Sequence, residues 1–225
     1  MTIAVYLSCI GVGLLCSLLY FPVRKIQTED KRAHAYIFFI ILYVLTFELY
    51  AYYLVQNGQE NVLVYNIFFV CGETLLILVY LKSLVDLPLV KKRIDQFMLF
   101  FVAWALLNSV FFQNPSQLFQ QYTHLLGSFG IVVASFYLLY RIFLLDGFWD
   151  KPLLGVPHFW NIAAILLFYC PNFIYFGALN ILWDIDKWYL NILASMNRIF
   201  AAMLYLIFGL SFYSSFIFST NRNGR

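Results

Sequence analysis

Residues Lys187–Phe218 read KWYLNILASMNRIFAAMLYLIFGLSFYSSFIF, a hydrophobic run with a single arginine, Arg198, well inside it. About 20 apolar residues suffice to cross a bilayer, so the run is long enough to span one. An arginine at hydrocarbon depth costs about 3 kcal/mol on insertion scales, so it needs a partner or a water-lined cavity. Two other hydrophobic runs each carry one acid, Glu48 and Glu73. The reading of the chain turns on whether these three residues meet.

Working outward from that run, six more segments have the length and composition of a span: Ile3–Phe21, Ala35–Val55, Val62–Leu81, Phe97–Phe112, Phe119–Leu145 and His158–Leu179. With Trp188–Phe218 they predict an all-α, polytopic membrane protein of seven transmembrane helices, forming one domain over residues 1–225. Composition agrees. The 225 residues are 63% hydrophobic and 11% charged, with a mean hydropathy of +0.81. Soluble domains sit near half apolar and a quarter charged. Aromatics make up 21% of the chain, too many for interfacial belts alone, so many rings must pack between helices. Cys9, Cys16, Cys71 and Cys170 all fall inside hydrophobic runs, where free cysteine acts as a small apolar filler.

Basic residues set the expected orientation. Arg24, Lys25, Lys31 and Arg32 lie in the first loop, and Lys82, Lys91, Lys92 and Arg93 in the third. Arg141 and Lys151 flank the fifth, and Arg222 and Arg225 lie in the tail. The second and fourth loops have no basic residue, and the sixth has only Lys187. The amino terminus is therefore expected outside and the carboxy terminus in the cytoplasm. Trp183, Asp184, Asp186, Lys187, Trp188 and Tyr189 read as an outer headgroup cuff, and Leu144–Trp160 as a segment lying along the inner interface. No signal peptide, organelle-targeting feature or N-x-[ST] acceptor is present, which fits a bacterial inner membrane.

Depth and helical face pick out the candidate site. Counting a rise of about 1.5 Å per residue, Glu73 and Arg198 are each expected roughly 15 Å below the outer surface, with Glu48 and Asn172 somewhat higher. Asn66, Glu73 and Tyr80 recur at heptad intervals on one stripe, as do Asn191, Arg198 and Tyr205 on another, with Ser195 beside them. Such stripes turn away from lipid. The expectation is a Glu73–Arg198 ion pair with Glu48 nearby, in a pocket opening outwards and bordered by Asn172 and Asn191. His124, next to Gln120 and Gln121, is expected as an interfacial hydrogen-bonder and a pH-sensing candidate were it in the pocket. Asn172, following Pro171, is expected to serve the backbone groups that the proline frees. The matched triplets in the third and seventh runs also suggest a three-plus-one-plus-three duplication. A buried ion pair can, however, serve only to fix helix register.

The seven-span layout is similar in topology to rhodopsin-like receptors, to small three-plus-one-plus-three sugar transporters and to the sensor regions that precede bacterial histidine kinases. The span lysine, the Pro-Gln or paired-proline signatures and the kinase that mark those groups are missing, so no family follows. Nor is there an H-E-x-x-H, a G-x-S-x-G, a Walker-type loop or a Cys/His metal spacing. No cofactor, metal or nucleic-acid partner is expected; the partners are the lipid bilayer, a small-molecule or lipid ligand, and a cytoplasmic signalling protein. The expected function is a sensor or receptor-like module, with a small solute or proton-coupled transporter and a lipid-modifying enzyme as alternatives. A polar residue set biased towards the outer half, with little beyond Asn161, serines and tyrosines in the inner half, tips the reading towards sensing.

Overall fold

The computed structural model describes residues 1–23, 31–144, 153–182 and 187–219. Arg24, Lys25, Lys151, Trp183, Asp184, Asp186, Arg222 and Arg225 lie outside the described residues, as do the side chains of Lys187, Trp188, Tyr189 and Asn191. Seven long helices follow one another: α1 (Ile3–Val23), α2 (Lys31–Gln56), α3 (Val62–Ser83), α4 (Pro88–Phe111), α5 (Gln121–Leu144), α6 (Pro157–Leu182) and α7 (Lys187–Leu210). Beyond α7, a 3₁₀ turn at Ser211–Tyr213 leads into a short helix, Ser214–Ser219. No strand occurs among the described residues. Each of the seven contains a stretch long and apolar enough to cross a membrane. Only helices and closed barrels satisfy every backbone group in hydrocarbon, and this chain takes the helical route. It is an all-α, multi-pass integral membrane protein.

Most helix limits lie within a few residues of those expected, but α4 starts nine residues before Phe97, at Pro88. The charged stretch Lys91–Asp95 read as loop, yet it forms the first turns of the helix. Pro88 occupies the first turn, where its missing N–H costs nothing, and the preceding Leu87 is extended, as the residue before a proline prefers. Lys82 at the end of α3 then pairs with Asp95 on α4, so the charges are used at the interface rather than in an open loop.

One cluster of buried apolar side chains runs through the bundle, from Ile10 of α1 and Ile41 of α2 to Ile131 of α5, Ile165 of α6 and Phe208 of α7. α4 is the most peripheral helix, with Leu99, Leu106, Val110 and Phe111 exposed to the surroundings that would be lipid. The most extensive contact joins the two ends of the chain, α1 against α7. Two glycines permit it. A Cβ on Gly209 would lie 2.6 Å from the Cα of Gly13, and one on Gly13 would lie 3.0 Å from the carbonyl carbon of Tyr205. Small residues at such crossings let membrane helices approach backbone to backbone, where dispersion and packing supply the association energy that hydrophobicity cannot.

α3 is irregular where it matters. From Tyr65 to Glu73 it is wound as a π-helix, a rare form that is frequently found at functional sites. The Tyr43 hydroxyl of α2 donates to the Phe68 carbonyl at 3.1 Å, and a Cβ on Gly72 would sit 2.8 Å from its ring carbon Cζ. Gly72 thus leaves the gap into which Tyr43 inserts. A side chain entering the ladder is an established cause of such irregularity.

Candidate functional site

The start of α1, the second half of α2 and the start of α3 lie at the same end of the bundle, and a cavity of about 330 Å³ opens between them. Ile3 and Tyr6 of α1, Glu48 of α2, and Tyr65 and Phe69 of α3 line one side. Phe119, from the segment before α5, and Phe168 and Phe176 of α6 make an aromatic wall. Asn197, Arg198, Ala201 and Tyr205 of α7 close the remaining side. Arg198, Ala201 and Tyr205 are three and four residues apart, the spacing that puts side chains on one helical face, and Asn197 flanks them. Tyr65 and Phe69, four residues apart, both lie on the π-helical stretch of α3.

Glu48 is held from both sides. The Tyr6 hydroxyl donates to its Oε1 at 3.0 Å and the Tyr65 hydroxyl to its Oε2 at 2.9 Å. Hydrogen bonds to a carboxylate are roughly twice as strong as neutral ones, and two rigid phenols fix the group's orientation. Arg198 lines the same cavity and its charge is felt at Glu48 and Tyr65, but its Nη1 donates to the Met1 carbonyl at 3.3 Å.

Glu73 lies deeper and is fully buried. Tyr205 donates to its Oε1 at 2.8 Å and Tyr169 approaches the same oxygen at 3.5 Å, while Oε2 has no hydrogen-bond partner among the described residues. Tyr205 also lines the cavity, so its phenol connects the pocket to the buried acid behind it.

The expected Glu73–Arg198 ion pair is therefore not formed. Among the described residues the ion pairs are Lys82–Asp95 and Arg141–Asp86, both at the opposite end of the bundle. The physical reason is axial register. Glu73 is level with Tyr205, which lies seven residues (205 − 198) beyond Arg198, about 10 Å further along α7. Helical side chains also lean towards the helix amino terminus, so Arg198 snorkels up to the level of Met1 and is exposed rather than buried. Of the two acids it is consequently Glu48, not Glu73, that shares the cavity with Arg198.

His124 and Asn172 take a different position from the one expected. His124 is buried, not interfacial, because the segment ahead of α5 folds over it. Its ring packs against Phe69, Phe119 and Phe176, with centroid separations of 5.1, 5.8 and 4.6 Å, so it backs the aromatic wall of the cavity instead of facing into it. Asn66 of α3 secures that segment: its Nδ2 donates to the carbonyls of Pro115 and Leu118, and its Oδ1 accepts from the Gln120 N–H. Asn172 is buried, but neither atom of its amide bonds the backbone freed by Pro171. Asn191 cannot be placed, since its side chain lies outside the described residues.

A second polar group, towards the opposite end, was not expected as a cluster. Asn161 Nδ2 donates to the Tyr80 hydroxyl at 3.0 Å, and that hydroxyl lies 3.4 Å from Nδ1 of His158. Nearby on the same half, Nε2 of His34 is 3.1 Å from the Ser17 hydroxyl. Polarity is thus not confined to one half of the bundle. Of the tyrosines that organise the two acids, Tyr205 stood out through its stripe with Arg198, whereas Tyr6, Tyr65 and Tyr169 carried no signal in a chain with 17 of them.

Comparison with protein-family models, with curated proteins and with solved structures returns no match to this chain. The functional reading rests on the geometry.

Proposed function

We propose that this protein is a membrane receptor or sensor-like module whose cavity takes a small ligand. The observation that carries the reading is the cavity itself: an acid pre-oriented by two phenols and a guanidinium at the rim, within a largely aromatic enclosure. Pockets of this kind, mostly apolar with a few convergent polar groups, are the usual form of a ligand site. With the basic loops on the cytoplasmic side, the cavity faces outwards and the signal passes inwards through those loops to a cytoplasmic protein. A bacterial inner membrane is the setting that best suits the chain's composition and short loops.

The test is native mass spectrometry of the purified protein from mild detergent, comparing wild type with Arg198→Gln. A reproducible adduct that is lost or weakened in the variant supports a ligand site. An adduct-free wild type, together with a variant of unchanged thermal stability, refutes it. Labelling of Gly58→Cys by a membrane-impermeant maleimide in intact cells tests the orientation, and protection there reverses it.

A transporter reading gains from one observation, the Tyr80–Asn161–His158 cluster. It supplies polar groups in the half of the bundle where sequence alone suggested few, with buried Glu73 between the two ends. Uptake into proteoliposomes under a pH gradient separates the carrier from the sensor.

A further inference from the structure

Resting on the reading of the cavity as a ligand site, we infer that its ligand is a small zwitterion, with an organic ammonium seated against Glu48 and the aromatic rings and an anionic group held by Arg198. Each charged group in the cavity is only partly used. An ionised carboxylate offers about four acceptor positions, and the phenols of Tyr6 and Tyr65 take one on each oxygen of Glu48. A guanidinium has five N–H donors, of which Arg198 gives one to Met1. The two groups line one cavity without closing on each other as an ion pair, so a gap remains that a molecule with both charges can bridge.

The rings select the cationic end. A cation within about 6 Å of an aromatic centroid is attracted by the ring quadrupole, and the attraction grows once water is excluded. Tyr6, Tyr65 and Phe69 stand on the Glu48 side, with Phe168 and Phe176 facing them from α6. Both phenols donate to Glu48 through their hydroxyls, so these hydrogen bonds do not occupy the ring faces, and Tyr65 also packs in T-shaped contact with Phe47 and Phe69. A bare anion would meet the Glu48 carboxylate, and a bare cation would leave the Arg198 donors unanswered. Only a ligand with both charges satisfies both sides. A cavity of about 330 Å³ is at the small end of ligand sites and suits a molecule the size of an amino acid betaine or a phosphocholine headgroup.

Binding is measured by isothermal titration of the purified chain in detergent with glycine betaine and phosphocholine as zwitterions, choline as the lone cation, acetate as the lone anion, and 3,3-dimethylbutanol as the uncharged isostere of choline. The zwitterions are expected to bind at least tenfold more tightly than choline, and choline more tightly than 3,3-dimethylbutanol. Glu48→Gln should weaken both zwitterions and choline by tenfold or more. Arg198→Gln should abolish the preference of the zwitterions over choline while leaving choline itself unchanged. Phe69→Leu, which keeps the apolar volume, should weaken every ammonium probe several-fold and guards against a Glu48 variant that fails to fold.

Repeating the titration in nanodiscs separates the sources of such a ligand. If the site takes a lipid headgroup, phosphatidylcholine discs suppress the titration relative to phosphatidylglycerol discs, whereas equal binding in both points to a free solute. Equal affinity for 3,3-dimethylbutanol and choline, or an unaltered Glu48→Gln, overturns the inference. If no zwitterion binds but native mass spectrometry shows another adduct that Arg198→Gln loses, the ligand class is wrong and the cavity remains a ligand site. If no probe binds and no adduct is found, both readings fall.

Discussion

The crossing of α1 and α7 offers the sharpest test of the packing, through Gly209→Ala. A Cβ there would lie 2.6 Å from Gly13 Cα, whereas carbon atoms attract best at about 3.5–4.0 Å. The shortfall is therefore about 1 Å or more, and the obstacle is backbone, which has no rotamer through which to yield. The two helices must part, losing dispersion contacts along the seam. Inserting a methyl into a well-packed core costs about 1–3 kcal/mol. Against this stands the intrinsic helix preference of alanine over glycine, about 1 kcal/mol. Gly11→Ala isolates that second quantity, because a Cβ at Gly11 meets nothing within 4 Å. Equilibrium unfolding in mixed detergent micelles should place Gly11→Ala at or slightly above wild type and Gly209→Ala below it, with the two variants separated by about 1–3 kcal/mol. Gly13→Ala should behave like Gly209→Ala. The double variant should cost less than the sum, since helices already parted accommodate the second methyl more readily. If Gly209→Ala matches Gly11→Ala, the backbones do not cross as closely as described, and the placement of Tyr205 one turn away falls with them.

Tyr205→Phe should destabilise the protein by about 1–3 kcal/mol in the same assay, because it strips a buried carboxyl of its short hydrogen bond. Tyr169→Phe, whose hydroxyl is 3.5 Å away, should cost markedly less, and equal losses would mean that Tyr205 is not the principal donor to Glu73. Asn66→Ala removes all three hydrogen bonds that tie the α4–α5 segment to α3, so amide exchange at Ser116–Gln120 should rise by tenfold or more while exchange in α1 stays unchanged. Gly72→Ala should expel the Tyr43 ring and lower stability, and Tyr43→Phe combined with it should not restore wild-type behaviour, since the steric conflict involves the ring as well as the hydroxyl.

Hydrophobic length made the seven spans legible, because spanning hydrocarbon imposes a minimum on each run that soluble proteins do not meet. The charges of Lys91–Asp95 hid the start of α4, since a hydropathy reading treats interfacial helix and loop alike. Glu48, Glu73 and Arg198 could be singled out from the cost of ionisable groups in lipid. Their arrangement could not. Heptad spacing tells which face of a helix a residue occupies, but nothing in one helix sets its axial offset against another, and that offset decided between Glu48 and Glu73 as the acid nearest Arg198. The roles of Tyr6, Tyr65 and Tyr205 were hidden for a similar reason: a hydroxyl on a ring suited to lipid, core or interface acquires a purpose only from what lies opposite it. The π-helical turn of α3 left no trace beyond Gly72, whose significance depends on Tyr43 of another helix.

The seam between Gly13 and Gly209 joins positions 196 residues apart (209 − 13). At translation rates of roughly 5–20 residues per second, α1 enters the membrane roughly 10–40 s before α7 exists to receive it. Throughout that interval the glycine face of α1 meets only lipid or another protein, and Glu48 has neither the cavity wall nor the Arg198 side chain that α7 brings. The α7 side of the cavity is thus the last to be built, so a ribosome that stalls before α7 leaves a chain with most of its helices and a site open on one side. A nascent bundle of this kind is one that an insertase or a membrane protease can tell from the finished protein.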